Sequence, residues 1–286
     1  MKYCGRDFTE EEIALIKKIV SRKPEHNRYT LSKIICKNLQ WYKHDGGLKD
    51  MSCRVAMLRM ESDGLFVLPK PIHKNSNGKK YLRCTAQSNP GTPSNLPVDK
   101  LEGLEISIVS LKEKTSLWNE YINRYHYLGH KPLPGANLKY FVYCNNQIVA
   151  LLGFGAAAWK VLPRDNFIGW TSEQRMYNLH LIVNNARFLI LPWINSKNLA
   201  SKILSLIAKR ITYDWYERYK YTPVLLETFV EKQRFYGTCY KAANWIYLGI
   251  TKGRGKLDRL NEYKLPIKDI LIFPLQKKFR QILCSG

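Results

Sequence analysis

The sequence predicts a mixed α/β (α+β) protein in two parts: a small helical domain over residues 1–84 and a larger mixed-sheet domain over 101–286, with a flexible linker over 85–100. Three observations lead there. Apolar residues recur at helical spacing through residues 10–60. Residues 85–100, TAQSNPGTPSNLPVDK, hold three prolines among Ser, Asn and Gly and almost no bulky apolar side chain, which is the composition of a tether. From residue 104 onward, short apolar runs are interrupted by one long helical pattern, the order of a sheet covered by helices.

Thr9 stands before Glu10, Glu11 and Glu12, a cap followed by acids that favour a helix start, and Ile13, Ile16, Ile19 and Val20 then share one face. Pro24 stops this helix. Thr30 is read as the cap of a second helix with Leu31, Ile34, Ile35 and Leu39 inward. Residues 50–60 read as a third helix with Met51, Val55 and Leu58 inward, ended by Gly64. LFVLP at 65–69 reads as a strand, 73–80 as a basic tip and 81–83 as its return. Three helices and a two-stranded ribbon make the plan of a winged helix-turn-helix, in which the third helix enters the DNA major groove. On that plan Ser52, Arg54 and Arg59 lie on the reading helix, and Lys79 and Lys80 neutralise phosphates. Modules of this shape also dock proteins, and both uses stay open.

In the second part, 104–109 alternates as a strand, and Ser116 opens a helix with Leu117, Tyr121 and Ile122 on one face that ends at His126. Residues 139–143 and 147–154 flank Cys144-Asn145-Asn146; Asn tolerates positive φ, so a tight hairpin is expected. A polar segment at 164–170 precedes a strand at 177–183, an apolar run at 187–193 and a long helix at about 197–219. The stretch 224–251, VLLETFVEKQRFYGTCYKAANWIYLGIT, supplies a strand, a short helix and a second strand, and 269–275 adds one more.

The 46 Lys and Arg against 23 acids give a formal net charge of +23, of which residues 1–84 carry 18 bases against 9 acids. A polyanion is the expected partner, with DNA ahead of membrane because no basic amphipathic helix stands out. Seven cysteines stand singly, without the spacing of a zinc site. Their odd number and the lack of a leader-like segment point to a reducing cytoplasm. The apolar run at 148–159 is too short to cross a bilayer.

His126, Asp165, Asp214, Glu227, Cys239 and Tyr240 fall near element ends and are the candidate chemical groups. Each also has a plain structural use. A His at a helix end satisfies carbonyls, Asp214 pairs with Arg210 one turn away, and Cys239 is a small apolar residue. Glu227 is the hardest to dismiss, since an acid inside LLETFV is costly to bury without a partner, for which Arg187 is the candidate. If Asp165, Asp214 and Glu227 met, they would hold Mg²⁺ or Mn²⁺ for strand cleavage or joining, with Tyr240 a covalent nucleophile, as in a transposase-like enzyme of a mobile element. The aromatic and basic run WYERYKY at 215–221 fits either unpaired bases or a core with its rim.

The order strand, helix, hairpin, strand, long helix, strand, short helix, strand resembles the GNAT acyltransferase fold, and Tyr240-Lys241-Ala242-Ala243-Asn244-Trp245 is similar to that superfamily's late Tyr-x-x-x-Gly-Phe signature. The resemblance implies that Tyr240 protonates a departing thiolate and that Glu227 is a general base, as in a GNAT-like nucleic-acid-modifying transferase that moves an acyl-like group onto DNA or a base. It departs at 194–200, INSKNLA, which holds no glycine where GNAT enzymes grip the pyrophosphate of acyl-coenzyme A, and this counts against that cofactor. At whole-chain level, Tyr125-His126-Tyr127-Leu128-Gly129, Arg187-Phe188-Leu189-Ile190-Leu191-Pro192-Trp193, Glu227-Thr228-Phe229-Val230 and Gly237-Thr238-Cys239-Tyr240-Lys241-Ala242-Ala243-Asn244-Trp245 resemble the DruA family of the Druantia anti-phage systems. That resemblance implies a defence protein or a mobile-element relative, with partners such as a helicase, and carries no catalytic residues with it.

Overall fold

The structure, a computed structural model, describes residues 1–22, 25–72, 84–95, 97–100, 103–254 and 265–285. The chain divides into two compact units, Met1–Lys80 and Tyr81–Gly286.

The first unit opens with a two-residue pairing of β1 (Lys2–Tyr3) and β2 (Arg6–Asp7). Helices α1 (Glu10–Arg22), α2 (Arg28–Asn38) and α3 (Asp50–Ser62) follow. Ile13, Ile16 and Val20 of α1 and Leu31 and Ile35 of α2 are buried, as their spacing predicts. The cap of α2 is Asn27, whose Oδ1 accepts the Thr30 N–H at 2.9 Å, so Thr30 lies within the helix rather than capping it. The expected inner face of α3 is corrected. Met51, Val55 and Leu58 are 60%, 38% and 43% exposed, and Cys53, Ala56, Met57 and Met60 face inward instead. Both sets have helical spacing; the small Cys and Ala let α3 approach closely, and the flexible Met side chains fill what is left.

The α2–α3 connection, residues 39–49, is longer than a helix-turn-helix turn and contains a Tyr42–Leu48 bridge. Residues 65–69, expected as a strand, pair with no strand among the described residues, and the Leu68 N–H goes to Glu61 Oε1 at 2.6 Å. The wing tip, with Lys79 and Lys80, and the return at 81–83 lie outside the described residues, as does Pro24.

The second unit is a seven-stranded mixed sheet. In chain order its elements are β3 (Glu105–Ile108), α4 (Lys112–Tyr125), β4 (Leu138–Cys144), β5 (Gln147–Ala156), α5 (Leu162–Ile168) and α6 (Ser172–Asn178). Then come β6 (Ile182–Ile190), α7 (Leu199–Tyr219), β7 (Leu225–Glu231), α8 (Thr238–Ala242), β8 (Ile246–Ile250), β9 (Lys268–Pro274) and α9 (Phe279–Leu283). The sheet order is β3-β4-β5-β6-β7-β9-β8. All neighbours are antiparallel except β6 and β7, which run parallel across the α7 crossover. This is the GNAT-like plan that the order of elements predicts.

Asn145 and Asn146 turn the β4–β5 hairpin at φ 47° and 63°, the left-handed pair that the sequence suggests. Helix α4 starts at Lys112, four residues before Ser116. The strand expected at 177–183 begins only at Ile182. Thr171 and Gln174 close a capping box that makes 172–178 helical, and the Asn178 amide is tied to the Leu283 and Ser285 carbonyls.

Helices cover both faces of the sheet. Trp118 and Tyr121 of α4 pack on Gly153 and Phe141, while Arg210 of α7 lies over Tyr140 on the other face. Trp215 and Tyr219 at the end of α7 pack together with Tyr221, so the aromatic run at 215–221 is mostly core, with Tyr216 left at its rim.

The linker expected at 85–100 is corrected over most of its length. The Glu120 carboxylate accepts the Thr85 N–H at 2.8 Å and its hydroxyl at 2.9 Å, and Tyr121 and Tyr125 donate to the Gln87 and Ser88 carbonyls. Ser94 bridges Ile194 in parallel through two backbone bonds. The segment lacks apolar bulk, but buried polar side chains of α4 satisfy its backbone, and that is what fixes it.

Candidate functional site

Strands β6 and β7 pair only over Ile182–Asn184 with Leu225–Glu227, although β6 runs on to Ile190 and β7 to Glu231. Beyond the third pair the sheet forks, and a cleft of about 700 Å³ opens between the strands. The end of α4 and the turn leading into α8 close its sides.

At the fork a hydrogen-bonded group fixes the geometry. The Tyr240 hydroxyl donates to Asn185 Oδ1 at 2.6 Å, and Thr228 Oγ1 donates to the Asn185 carbonyl at 3.1 Å. Tyr240 is held in place by Trp245, with ring centroids 5.0 Å apart. Gly237 supplies the left-handed N-cap of α8, at φ 66°, that turns the chain towards the fork. Burial pushes the Tyr240 phenol far above its ordinary range, against the smaller effect of Thr228. It therefore stays protonated, as a hydrogen-bond donor to Asn185 and not as a nucleophile.

A bulge re-aims β6 beside the cleft. Gly153 pairs with Arg187 and Phe154 with Asn185, which leaves Ala186 extra. Gly153 has to be bare, because a Cβ there would meet the Trp118 ring at 3.0 Å and Arg187 Cβ at 3.2 Å. Arg187 lines the cleft, and burial works against its charge. Lys268 lines it too, its ammonium disfavoured by burial.

His126 stands at the α4 end of the cleft, stacked on Tyr127 at 4.9 Å. Its Nδ1 accepts the Leu128 N–H at 3.2 Å. Burial, with the Arg187 charge beside it, pulls the imidazole down to about 4. At neutral pH the ring is therefore uncharged, and with Nδ1 accepting from Leu128 its proton is on Nε2. Because the unfolded ring titrates near its usual value, the stability that neutral His126 supplies is complete above about pH 6.5 and is lost as pH falls towards 4. Thermal unfolding from pH 7 to pH 4.5 should show the wild type losing more stability than His126→Gln; parallel curves would refute a buried neutral ring.

Glu227 is fully buried on the opposite side of β7 from Thr228, so it does not share the cleft with Tyr240. Its expected partner, Arg187, is corrected to Arg164, whose Nη1 donates to Glu227 Oε2 at 2.7 Å. Glu227 Oε1 accepts the Ala158 N–H at 2.8 Å. Arg164 also donates to Asp165 at 2.8 and 3.0 Å, Asp165 accepts the Val161 N–H, and Arg175 stands 3.5 Å from Asp165. Burial opposes the Arg164 charge, but Glu227 and Asp165 outweigh it and hold the guanidinium firmly ionised. Glu227 and Asp165 thus join one buried ion cluster that locks residues 158–165.

Asp214 is elsewhere, paired with Arg210 at 2.7 Å. The three acids do not converge, and among the described residues no three His, Cys, Asp or Glu side chains stand where they could hold a metal ion. Cys239 lines the cleft as a thiol kept protonated by burial.

In the first unit, Arg54 pairs with Asp50 at 3.1 Å and lies over Tyr29, and Ser52 is half-buried. Arg59 is exposed with no ion-pair partner among the described residues. Asn185, Thr228 and Lys268 were not among the sequence candidates, since a fork between parallel strands leaves no mark in local spacing.

Three solved structures are among those similar to this chain. They are an N-acetyltransferase from Staphylococcus aureus Mu50 (11% identity, TM-score 0.37, covering 60% of this chain and 97% of that one), a polyamine N-acetyltransferase from Drosophila melanogaster (12%, 0.38, 59% and 100%) and a GNAT-family acetyltransferase from Streptococcus pneumoniae (10%, 0.38, 60% and 100%). No curated protein matches the sequence. No described helix is long and apolar enough to cross a membrane. The profile of the family described as Druantia protein DruA matches residues 59–264, most of the chain and all of the cleft lining except Lys268, and the protein therefore belongs to the DruA family.

Proposed function

We propose that this protein is a DNA-binding component of an anti-phage defence system, contacting duplex DNA with the first unit and further nucleic acid with the basic second unit. The observation that carries the reading is the outward face of α3. Met51, Val55, Leu58 and Arg59 are exposed there on a chain of net charge +23. Arg reaches guanine edges or phosphates, and apolar side chains meet thymine methyl groups. Ser52 and Arg54 share the helix, Arg54 having to exchange Asp50 for DNA, and Lys79 and Lys80 add phosphate contacts on this reading. DruA membership supports the defence setting, in which a helicase or another system protein is the expected partner.

Fluorescence anisotropy with a labelled duplex tests it. Arg59→Ala weakens binding and reduces the slope of log K against log salt by about 1, the value for one lost phosphate contact. Arg54→Ala has a smaller effect because Asp50 already holds that charge. An unchanged affinity and slope in the double variant would remove α3 from DNA and assign its exposed apolar face to a protein partner.

A further inference from the structure

The cleft of the second unit combines a cation excess with aromatic walls. Arg187, Arg234 and Lys268 line it against one carboxylate, Glu231, which Arg234 engages at 3.1 Å. Arg187 has no carboxylate partner among the described residues. Its Nη1 donates to the Ala186 carbonyl, while its Nε is buried without any acceptor. A buried donor left open on an ionised group is costly unless a ligand completes it. Burial is the main opposition to the Lys268 ammonium; Glu231 supports it, and Arg187 and Lys131 add smaller repulsions. An anion seated between Arg187 and Lys268 would offset both the burial and the repulsion.

Aromatic surface stands at the mouth. Tyr127 and Phe235 approach with ring centroids 5.3 Å apart, Arg234 lies over Tyr127 at 5.2 Å, and Tyr236 is 83% exposed. Exposed rings of this size beside cations suit a flat heterocycle attached to a phosphate. The cavity, about 700 Å³, is of the size that takes one small ligand.

We propose that this cleft is a nucleotide site, in which Arg187 with Lys268 grips a phosphate and Tyr127 and Phe235 receive the base. The nucleotide comes either from solution or from the end of a nucleic-acid strand. The site is separate from α3 and does not depend on duplex binding by the first unit.

The test is isothermal titration of the full chain with deoxyadenosine monophosphate, deoxyadenosine, inorganic phosphate, desulfo-coenzyme A, and a short single strand with or without a 5′-phosphate. The expected result is saturable binding of the monophosphate or of the phosphorylated strand, with deoxyadenosine about tenfold or more weaker, the scale of a lost charge-assisted contact. Arg187→Gln should cause a similar loss. Phe235→Ala, at a surface position, weakens binding about threefold or more without touching the core, on the scale of a lost base stack. Binding of the free monophosphate assigns the site to soluble nucleotides, and binding of the phosphorylated strand alone assigns it to strand ends. No saturable binding of either, equal binding by the folded Arg187→Gln and Phe235→Ala variants, or binding of desulfo-coenzyme A alone would overturn the proposal. Duplex anisotropy with Arg59→Ala is read separately, so failure of either reading leaves the other standing.

Discussion

Glu227→Ala lowers the unfolding free energy of the second unit by about 3–5 kcal/mol, the usual cost of leaving a buried charge without its partner. Arg164 is the stranded group. It is fully buried, and Glu227 supplies its shortest contact, at 2.7 Å. Asp165 would remain but cannot take over the Ala158 N–H that Glu227 also accepts. At roughly 2–4 °C per kcal/mol for a unit of this size, the thermal midpoint falls by roughly 6–20 °C. Glu227→Gln keeps one of the two accepted bonds, because its amide nitrogen cannot accept, and it leaves Arg164 without a carboxylate on that side, so it too is destabilised. A change in Glu227→Ala below about 1 kcal/mol would show that water reaches Arg164 and that the cluster is not sealed.

Trp118→Ala is the second large effect, about 3–5 kcal/mol by loss of buried aromatic surface and the cavity left behind. Trp118 is 1% exposed, its Nε1 donates to the Tyr140 carbonyl at 3.2 Å, and its ring covers Gly153. His126 caps the same helix and Tyr127 follows it, so loosening it loosens one wall of the cleft. Chemical denaturation of Trp118→Ala beside Trp118→Phe measures the effect. If Trp118→Ala cost less than about 1 kcal/mol, α4 would owe its place to the bonds made by Glu120, Tyr121 and Tyr125 with residues 85–88 rather than to its apolar face.

How far the sequence revealed this molecule depended on the range of each interaction. The Asn145-Asn146 turn and the long helix are local, and residue type with spacing sufficed for them. Helix α3 shows where periodicity stops: Met51, Val55 and Leu58 compete with Cys53, Ala56, Met57 and Met60, and only the packing partners choose between the two stripes. The Glu227–Arg164 pair spans 63 residues and two elements, so the acid was visible as needing a partner but the partner was not. The tether reading of 85–100 failed because backbone bonding to Glu120 replaced the apolar packing that its composition lacks. The cleft was hidden for a related reason, since it arises from three paired residues between strands separated by the whole of α7.

The fork has a consequence for the backbone itself. Past Asn184, one side of β6 still hydrogen-bonds to β5, while its other side faces no strand. Amides in an ordinary interior strand are spoken for in both directions. Here side chains already take some of the carbonyls just past the fork, Thr228 that of Asn185, Arg187 that of Ala186 and Asn185 that of Arg187. The peptide groups left over on the open side form a short ruler, fixed in spacing by the covalent chain, that turns to water or to a guest. Whatever lies in the cleft can be measured against that ruler as well as held by the side chains around it.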